Sequence, residues 1–429
     1  MVREQDLAAP RPVTLEGANA PTAPSGWTLD QIINATLLAD PQLRAGFEAI
    51  NQAYGDAWTA ALRPNPTLEI AQTLLPLTRP FTVDKQGGPP QLDIGGSYRI
   101  DWFLFGKRAA AMQAAALGVQ ASEAEFADRV RRRVLESAEA YYDVLEAKAL
   151  LDLAHRDVAN FRRIEEITQK AVAGGGRPQV ELGRIRLDRL RAEQSVRDAE
   201  NALVAAKARL RALMGFVDVD LAFDVSGTLE DIGTPALLPL EEAWSVAVQN
   251  RPDIEALRRR VAQAHLQAES ERRQGYPEVS PQFVVTRQFQ RQAIGFPDAN
   301  SWGVGLEMSL PLFDRNQGNR LKAASVAVQQ RYELQAGLVD LRAEVIRADN
   351  DLRTALANAK AVAEQQLKLA GQVRDNLNRA YEAGGRPLID VLDAQRNYHE
   401  TYRLFIESRA NLGRAAVRYN AVLGRRIAP

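Results

Sequence analysis

From Leu92 the chain alternates. Leu92, Ile94, Gly96, Tyr98, Ile100, Trp102 and Leu104 fall on even positions, and Asp93, Gly95, Ser97, Arg99, Asp101 and Phe103 on odd ones. Trp302, Val304, Leu306, Met308 and Leu310 alternate in the same way with Ser301, Gly303, Gly305, Glu307 and Ser309. A period of two puts each apolar set on one face of a strand. Strands are therefore predicted at about 91–105 and 301–310. Each is preceded by another, at about 67–75 after Pro66 and about 278–290 after Pro277. The polar, Pro/Gly-rich connections Leu77–Pro90 and Arg291–Asn300 read as exposed hairpin loops.

Elsewhere the period is helical. Trp27-Thr28-Leu29-Asp30 opens a helix with Thr28 or Asp30 as N-cap, Asp40-Pro41 breaks it, and a second helix runs to about Leu62. Leu240-Glu241-Glu242-Ala243 and Asn250-Arg251-Pro252-Asp253 repeat that start and that break. Long helices follow the strands, at about 107–173 and 316–383, with no internal proline. At 1.5 Å per residue each would run roughly 100 Å. A Gly/Arg/Pro turn ends each one and reverses the chain into a further helix, at about 179–214 and 388–423. In the returning helices Ala192, Val196, Ala199, Leu203, Ala206, Leu210 and Leu213 recur with four-three spacing. So do Tyr398, Tyr402 and Phe405, then Leu412, Ala416, Tyr419 and Leu423, with Arg409 interrupting. A repeat of 3.5 predicts supercoiled, coiled-coil-like packing.

These elements come twice. Pro178 and Pro387 are 209 residues apart, as are Gly215 and Gly424; Pro41 and Pro252 are 211 apart, as are Pro66 and Pro277. A period this long is a duplicated half-molecule, not a solenoid unit. The chain divides into a Pro/Ala-rich extended segment (1–26), a first repeat (27–215), a linker (216–239), a second repeat (240–424) and a tail (425–429). The linker is expected to belong to a small equatorial domain packed around the helices.

Charge and composition narrow the function. Fifty-four basic residues balance fifty-four acidic ones among 429, which gives no support for nucleic-acid binding. The absence of cysteine excludes disulfides, thiolate metal sites, cysteine catalysis and a lipidated N-terminal cysteine in this sequence. No apolar leader follows Met1, so the chain is either cytoplasmic or a mature form without its signal. No stretch approaches the eighteen or so apolar residues of a membrane helix, but a β-barrel needs none. A four-stranded sheet with one apolar face must be covered by a helix of its own chain or face lipid. Long heptad helices are poor partners for so small a sheet. Tyr98, Trp102 and Trp302 fall near strand ends, where membrane aromatic girdles lie, and are expected to face lipid. The smallest closed membrane barrel has about eight strands, so four per chain need partners, and three chains give twelve. The fold class is mainly α with a β-barrel part.

Over about Trp27 to Gly424 this order of elements resembles the TolC family of outer-membrane efflux channels. The most specific local match is Tyr381-Glu382-Ala383-Gly384-Gly385-Arg386-Pro387-Leu388-Ile389-Asp390-Val391-Leu392-Asp393-Ala394, which is similar to the family's periplasmic gate. The resemblance implies a homotrimer whose twelve-stranded barrel in the outer membrane continues into an α-helical tunnel across the periplasm. It implies a periplasmic adaptor and an inner-membrane pump as partners. Leu310-Pro311-Leu312-Phe313-Asp314-Arg315-Asn316-Gln317-Gly318 is similar to the strand-to-helix junction of heavy-metal-resistance members, which work with resistance-nodulation-division pumps. Exported heavy-metal cations are therefore expected.

Asp390 and Asp393 lie three apart in the first turn of a helix and project from one face. They complement the helix dipole, worth about 0.3–1 kcal/mol each. Three chains meeting at a narrow mouth would also form a ring of six carboxylates, which attracts cations. Arg386, Arg177 and Arg184 are available to offset the repulsion, and Arg386 and Tyr381 are expected to tie each second-repeat hairpin to its neighbours. The first-repeat tip carries Glu181 and Arg184 where the second has Asp390 and Asp393. No serine, histidine or glycine-rich loop forms a catalytic, cofactor or phosphate motif. His155, His265 and His399 have no ligand spacing, so no metal site and no cofactor is expected. The competing functional readings are a soluble periplasmic coiled-coil adaptor and a multidrug channel.

Overall fold

The computed structural model describes residues 26–75, 77, 88–216 and 223–426. Most of the N-terminal segment, much of the Leu77–Pro90 connection, part of the linker and the last three residues of the tail lie outside the described residues. The elements in chain order are α1 (Leu29–Ala39), α2 (Pro41–Ala61), β1 (Thr67–Thr73), β2 (Gln91–Ser97), α3 (Asp101–Leu104), α4 (Lys107–Ala173) and α5 (Gln179–Leu213). The second repeat gives α6 (Leu240–Asn250), α7 (Pro252–Gln274), β3 (Val279–Gln288), α8 (Gln290–Ile294), β4 (Ala299–Met308), α9 (Gln317–Ala361), α10 (Leu367–Glu382) and α11 (Leu388–Leu423). Between α9 and α10, Val362–Gln366 forms a π-helical turn.

Two compact units result. One holds Ala49–Ala124 and Glu255–Ala336; among described residues the other holds 26–48, Glu125–Ile254 and 337–426.

The first unit contains the sheet. Its strands run in the order β1-β2-β3-β4, all antiparallel. The register aligns Ile70, Ile94, Val285 and Trp302 across the four strands, and Leu68, Gly96, Phe283 and Val304 beside them. Leu68, Ile70, Ile94, Phe283, Val285, Trp302, Val304, Leu306 and Met308 are all exposed, so no helix among the described residues covers this face. The opposite face is polar and internally bonded. Thr73 and Thr286 donate to the two oxygens of Asp93 (3.3 and 2.6 Å), and Gln282 donates to Glu307 (2.7 Å).

β2 is shorter than its alternation suggests. It ends at Ser97, so Tyr98 lies beyond it and Trp102 belongs to α3, and neither is a strand residue; Trp302 alone of the three lies in a strand. Pairing persists a little further, since Tyr98 N donates to Pro281 O and Ile100 N to Val279 O. Asp101 then turns the chain. Its carboxylate, 2% exposed, pairs with Lys107 at 2.8 Å, and the Lys107 ammonium also donates to Tyr276 O at 2.9 Å. A buried charge needs such partners, and they are available only if the backbone coils back. The second hairpin connection also differs from a bare loop, because it contains α8.

The second unit is helical. Thr28 caps α1 with a capping box to Gln31. Its main core joins Trp27, Ile32, Tyr141, Val144, Leu145, Leu210, Met214 and Ile406. The described linker residues pack here: Trp27 bridges to Val225, and Arg409, the break in the heptad, donates to the carbonyls of Leu229, Glu230 and Ile232 at 2.8–2.9 Å. Gly215 and Gly424 both have positive φ, and a Cβ there would meet Ala39 O at 2.6 Å and Asn250 O at 2.7 Å. Thus each repeat closes by seating a glycine on the end of its first helix.

Candidate functional site

The two hairpin tips are built alike. After α4, Gly175 adopts φ +74° and Gly176 N donates to Ala171 O (2.9 Å); after α10, Gly384 adopts φ +80° and Gly385 N donates to Ala380 O (2.9 Å). Left-handed glycine with a bond spanning five residues is how a helix ends when its last carbonyls need donors. Pro178 and Pro387 then stand one residue before α5 and α11, with extended backbone that starts the return helix.

The tips meet through Tyr381, which is 3% exposed. Its ring lies under the Arg177 guanidinium, 3.9 Å from centroid to Cζ. Its hydroxyl is 2.9 Å from the buried Thr168 Oγ1. Thr168 donates its own proton to Ile164 O (2.8 Å), so Tyr381 is the donor. Arg177 also pairs with Glu181 at 3.1 Å and reaches Arg386 O at 3.4 Å. Beneath lies a cluster of Ile164, Leu182, Ile185, Leu388, Val391 and Leu392. Tyr381 thus joins the second-repeat hairpin to the first within the chain.

The acid pair divides. Asp390 is partly buried and lies 3.6 Å from Arg386, one helical turn away; Asp393 is exposed and lies 3.5 Å from Arg396. Arg396 also reaches Asp188 on α5 at 3.9 Å, and Asp188 in turn pairs with Arg191. Of the bases expected to offset the acids, Arg386 does so, Arg177 serves Glu181, and exposed Arg184 has no acidic partner within 4 Å among the described residues. Arg396 does what Arg184 was expected to do. A cavity of about 590 Å³ lies between the tips, lined by Ile167, Arg177, Glu181, Tyr381 and Arg386.

Sequence reasoning missed a second polar cluster above the tip. His399 on α11 pairs through Nδ1 with Asp157 on α4, and Gln395 donates to the other Asp157 oxygen at 3.2 Å. The hydrogen bond that His399 makes to Asp157 raises the His399 pKa above its ordinary value, although burial opposes this. A cavity of about 420 Å³ adjoins the cluster. The signal was present in the sequence: Gln395 and His399 are four apart, on the stripe that Leu388 and Leu392 make apolar. Among the described residues no group of three His, Cys, Asp or Glu side chains is placed to hold a metal ion. Nor is any described helix long and apolar enough to cross a membrane.

The sequence model of the family described as outer membrane efflux protein matches residues 33–216 and 243–425, once per repeat. Its coverage of both repeats sets the adaptor reading aside. The chain is 26% identical to the cobalt-zinc-cadmium resistance protein CzcC of Cupriavidus metallidurans over 401 residues, 93% of this chain and 90% of that protein. Among solved structures, the outer-membrane channel OprN is similar with a TM-score of 0.75 and 19% identity, over 92% of this chain and 89% of that one. The outer membrane protein VceC from Vibrio cholerae gives a TM-score of 0.73 at 20% identity, over 93% and 96%.

Proposed function

The chain belongs to the outer membrane efflux protein family, and from that premise we propose that three copies form a gated outer-membrane channel of a tripartite efflux system. A periplasmic adaptor and an inner-membrane resistance-nodulation-division pump would be its partners. The observation that carries this reading is the sheet. Its apolar face is exposed, and β1 and β4 each leave one edge without a strand partner among the described residues. Four strands cannot close around a pore, whereas three such sheets joined edge to edge give twelve, an even number in the range of membrane barrels. The apolar faces then lie against lipid, Trp302 among them, and the polar faces with Asp93 and Glu307 line the lumen.

The conduit is passive, and its gate is the pair of tips. Threefold assembly gathers Asp390 and Asp393 of each chain at the narrowest point. Arg386 and Arg396 lower the repulsion that the ring of acids would otherwise suffer. Opening moves the second-repeat hairpin away from the first, which separates Tyr381 from Thr168 and from Arg177. The cargo is a heavy-metal cation, a reading supported by the likeness to a cobalt-zinc-cadmium resistance protein and by the acids at the mouth.

Planar-bilayer recording of the detergent-purified protein tests this. Asp390→Asn with Asp393→Asn reduces cation selectivity and weakens block by divalent cations. Unchanged selectivity would confine the acids to a helix-terminal role, and a monodisperse monomer in detergent would reject the channel. Loss of the gene sensitises cells to heavy-metal ions; sensitivity to drugs alone would point to a multidrug channel.

A further inference from the structure

Where the sheet gives way to helices, two arginines flank one tryptophan. Thr67 and Ser97 are register partners, so the segment before β1 and the segment after β2 leave the sheet at the same end. Arg63 lies in the first segment and Trp102, on α3, in the second. The Arg63 guanidinium is 5.6 Å from the Trp102 ring centroid and that of Arg108, in the first turn of α4, is 5.7 Å from it. Both the ring and one of the cations are held in place. Trp102 Nε1 donates to Arg99 O (2.8 Å), and Arg108 Nε donates to Ala61 O (2.6 Å).

The neighbouring charges are neutralised within the chain. Arg99 pairs with Asp101 and Glu278, and Lys107 pairs with Asp101. Arg63 and Arg108 are different: neither has a carboxylate within 4 Å among the described residues. Two guanidiniums beside one ring without a counter-charge make this part of the surface electropositive, which favours an anion there. The anion's other half is indicated by Phe103 and Leu104, which are 73% and 52% exposed on the same short helix. They extend the exposed apolar surface beyond the last residue of β2. A guanidinium pair suits the oxygens of a phosphate, an indole suits the headgroup level of a bilayer, and exposed Phe and Leu suit acyl chains.

We propose that Arg63, Trp102 and Arg108 form a binding site for the phosphate of an anionic phospholipid at the rim of the membrane-facing sheet. The site rests on the sheet facing lipid, as proposed above. Its ligand is a lipid rather than free phosphate because the cations sit beside exposed apolar side chains that a free ion would leave in water.

Native mass spectrometry of the full-length protein released from detergent provides the test. The protein is equilibrated with phosphatidylglycerol or phosphatidylcholine of equal chain length. The expected result is preferential retention of phosphatidylglycerol, falling as salt rises. Arg63→Gln and Arg108→Gln should each weaken that retention about fivefold, the scale of one basic residue at an anionic surface. Arg63→Lys with Arg108→Lys keeps the charge and should retain more lipid than the double Gln variant. Equal retention of the two lipids, or no change in the double Gln variant, would overturn the site. Displacement of the lipid by millimolar inorganic phosphate would assign it to a free anion instead. A double Gln variant that loses its trimer while retaining phosphatidylglycerol would assign the arginines to a contact between copies, which also overturns it. A wild-type protein that is monomeric in detergent would instead remove the membrane reading itself, so the two failures are distinguishable.

Discussion

At the break between α1 and α2, Asp40 is 1% exposed and pairs with Arg133 on α4. At the corresponding break in the second repeat, 211 residues later, stands Arg251, and 211 residues after Arg133 stands Glu344. Arg251 is buried as well and pairs with Glu344 at 2.8 Å. The duplication has therefore kept the contact and exchanged its charges. What the helix break requires is a compensated charge, and either sign serves. The supporting contacts differ, however. Asp40 also caps α2 by accepting from Gln42 N at 2.9 Å. Arg251 has a second acid, Asp253, at 2.7 Å, and Glu344 is half exposed.

That asymmetry gives the largest expected effect. Arg133→Met leaves the Asp40 carboxylate buried without its base, and removing one partner of a buried pair destabilises by about 3–5 kcal/mol. Glu344→Gln leaves Arg251 with Asp253 and should lie within about 1 kcal/mol, as for other partly exposed pairs. Denaturant unfolding in detergent compares the two. Equal losses would mean that the two breaks are held alike. The exchanged variant, Asp40→Arg with Arg133→Glu, should recover part of the loss.

The tips repeat the lesson on a smaller scale. Arg177 and Arg386 occupy equivalent turn positions, and each pairs with an acid four residues on. Arg177 is largely buried and stacked on Tyr381, whereas Arg386 is 60% exposed. A desolvated cation–π contact is worth about 2 kcal/mol and an exposed pair at most about 1. Arg177→Ala should therefore destabilise the tips more than Arg386→Ala, as read by hydrogen exchange at Gly175 and Gly384. Arg177→Lys should rescue little, because an ammonium cannot stack as a planar guanidinium does. A larger loss from Arg386→Ala would show that Arg386 finds its main partner on another copy.

Much of this fold was written in local signals. The period of two in β4, the left-handed glycines at 175 and 384, and the offsets of 209 and 211 each follow from short-range stereochemistry. The misreading of Tyr98 and Trp102 has the opposite origin. Alternation runs on past Ser97, but the buried Asp101–Lys107 pair and the carbonyls of Tyr276 and Pro277, some 170 residues away, decide where the strand stops. The π-helical turn at Val362–Gln366 carries no glycine or proline that could announce it. At the candidate gate the local partner was legible and the distant ones were not. Arg386 pairs with Asp390 as its spacing suggested, whereas Tyr381 meets Thr168 across 213 residues and Arg396 reaches Asp188 only once α5 and α11 lie side by side.

His399 is the point at which the two returning helices differ most in chemistry. Its counterpart 209 residues earlier is Leu190, which is exposed. α11 therefore carries an imidazole tie to α4, through Asp157, that α5, which has no histidine, lacks. The hydrogen bond to Asp157 raises the His399 pKa above the ordinary value near 6.5. A raised value means that the folded chain holds the proton more tightly than the unfolded one. The stabilisation is then fully present below about pH 6.5 and is lost as pH climbs through the raised value. Glu400 adds to this attraction and Arg403 opposes it, while Asp188, Arg191 and Arg396 line the adjoining cavity. The imidazole is more than a third exposed, so solvent screens the pair and the effect should be the smallest of the three. Its signature is a slope rather than a size. The melting temperature of the wild type relative to His399→Gln should fall between about pH 6 and pH 9. Because glutamine can still donate to Asp157 without titrating, a difference that stayed flat over that range would show that the pair acts as an ordinary hydrogen bond between the helices.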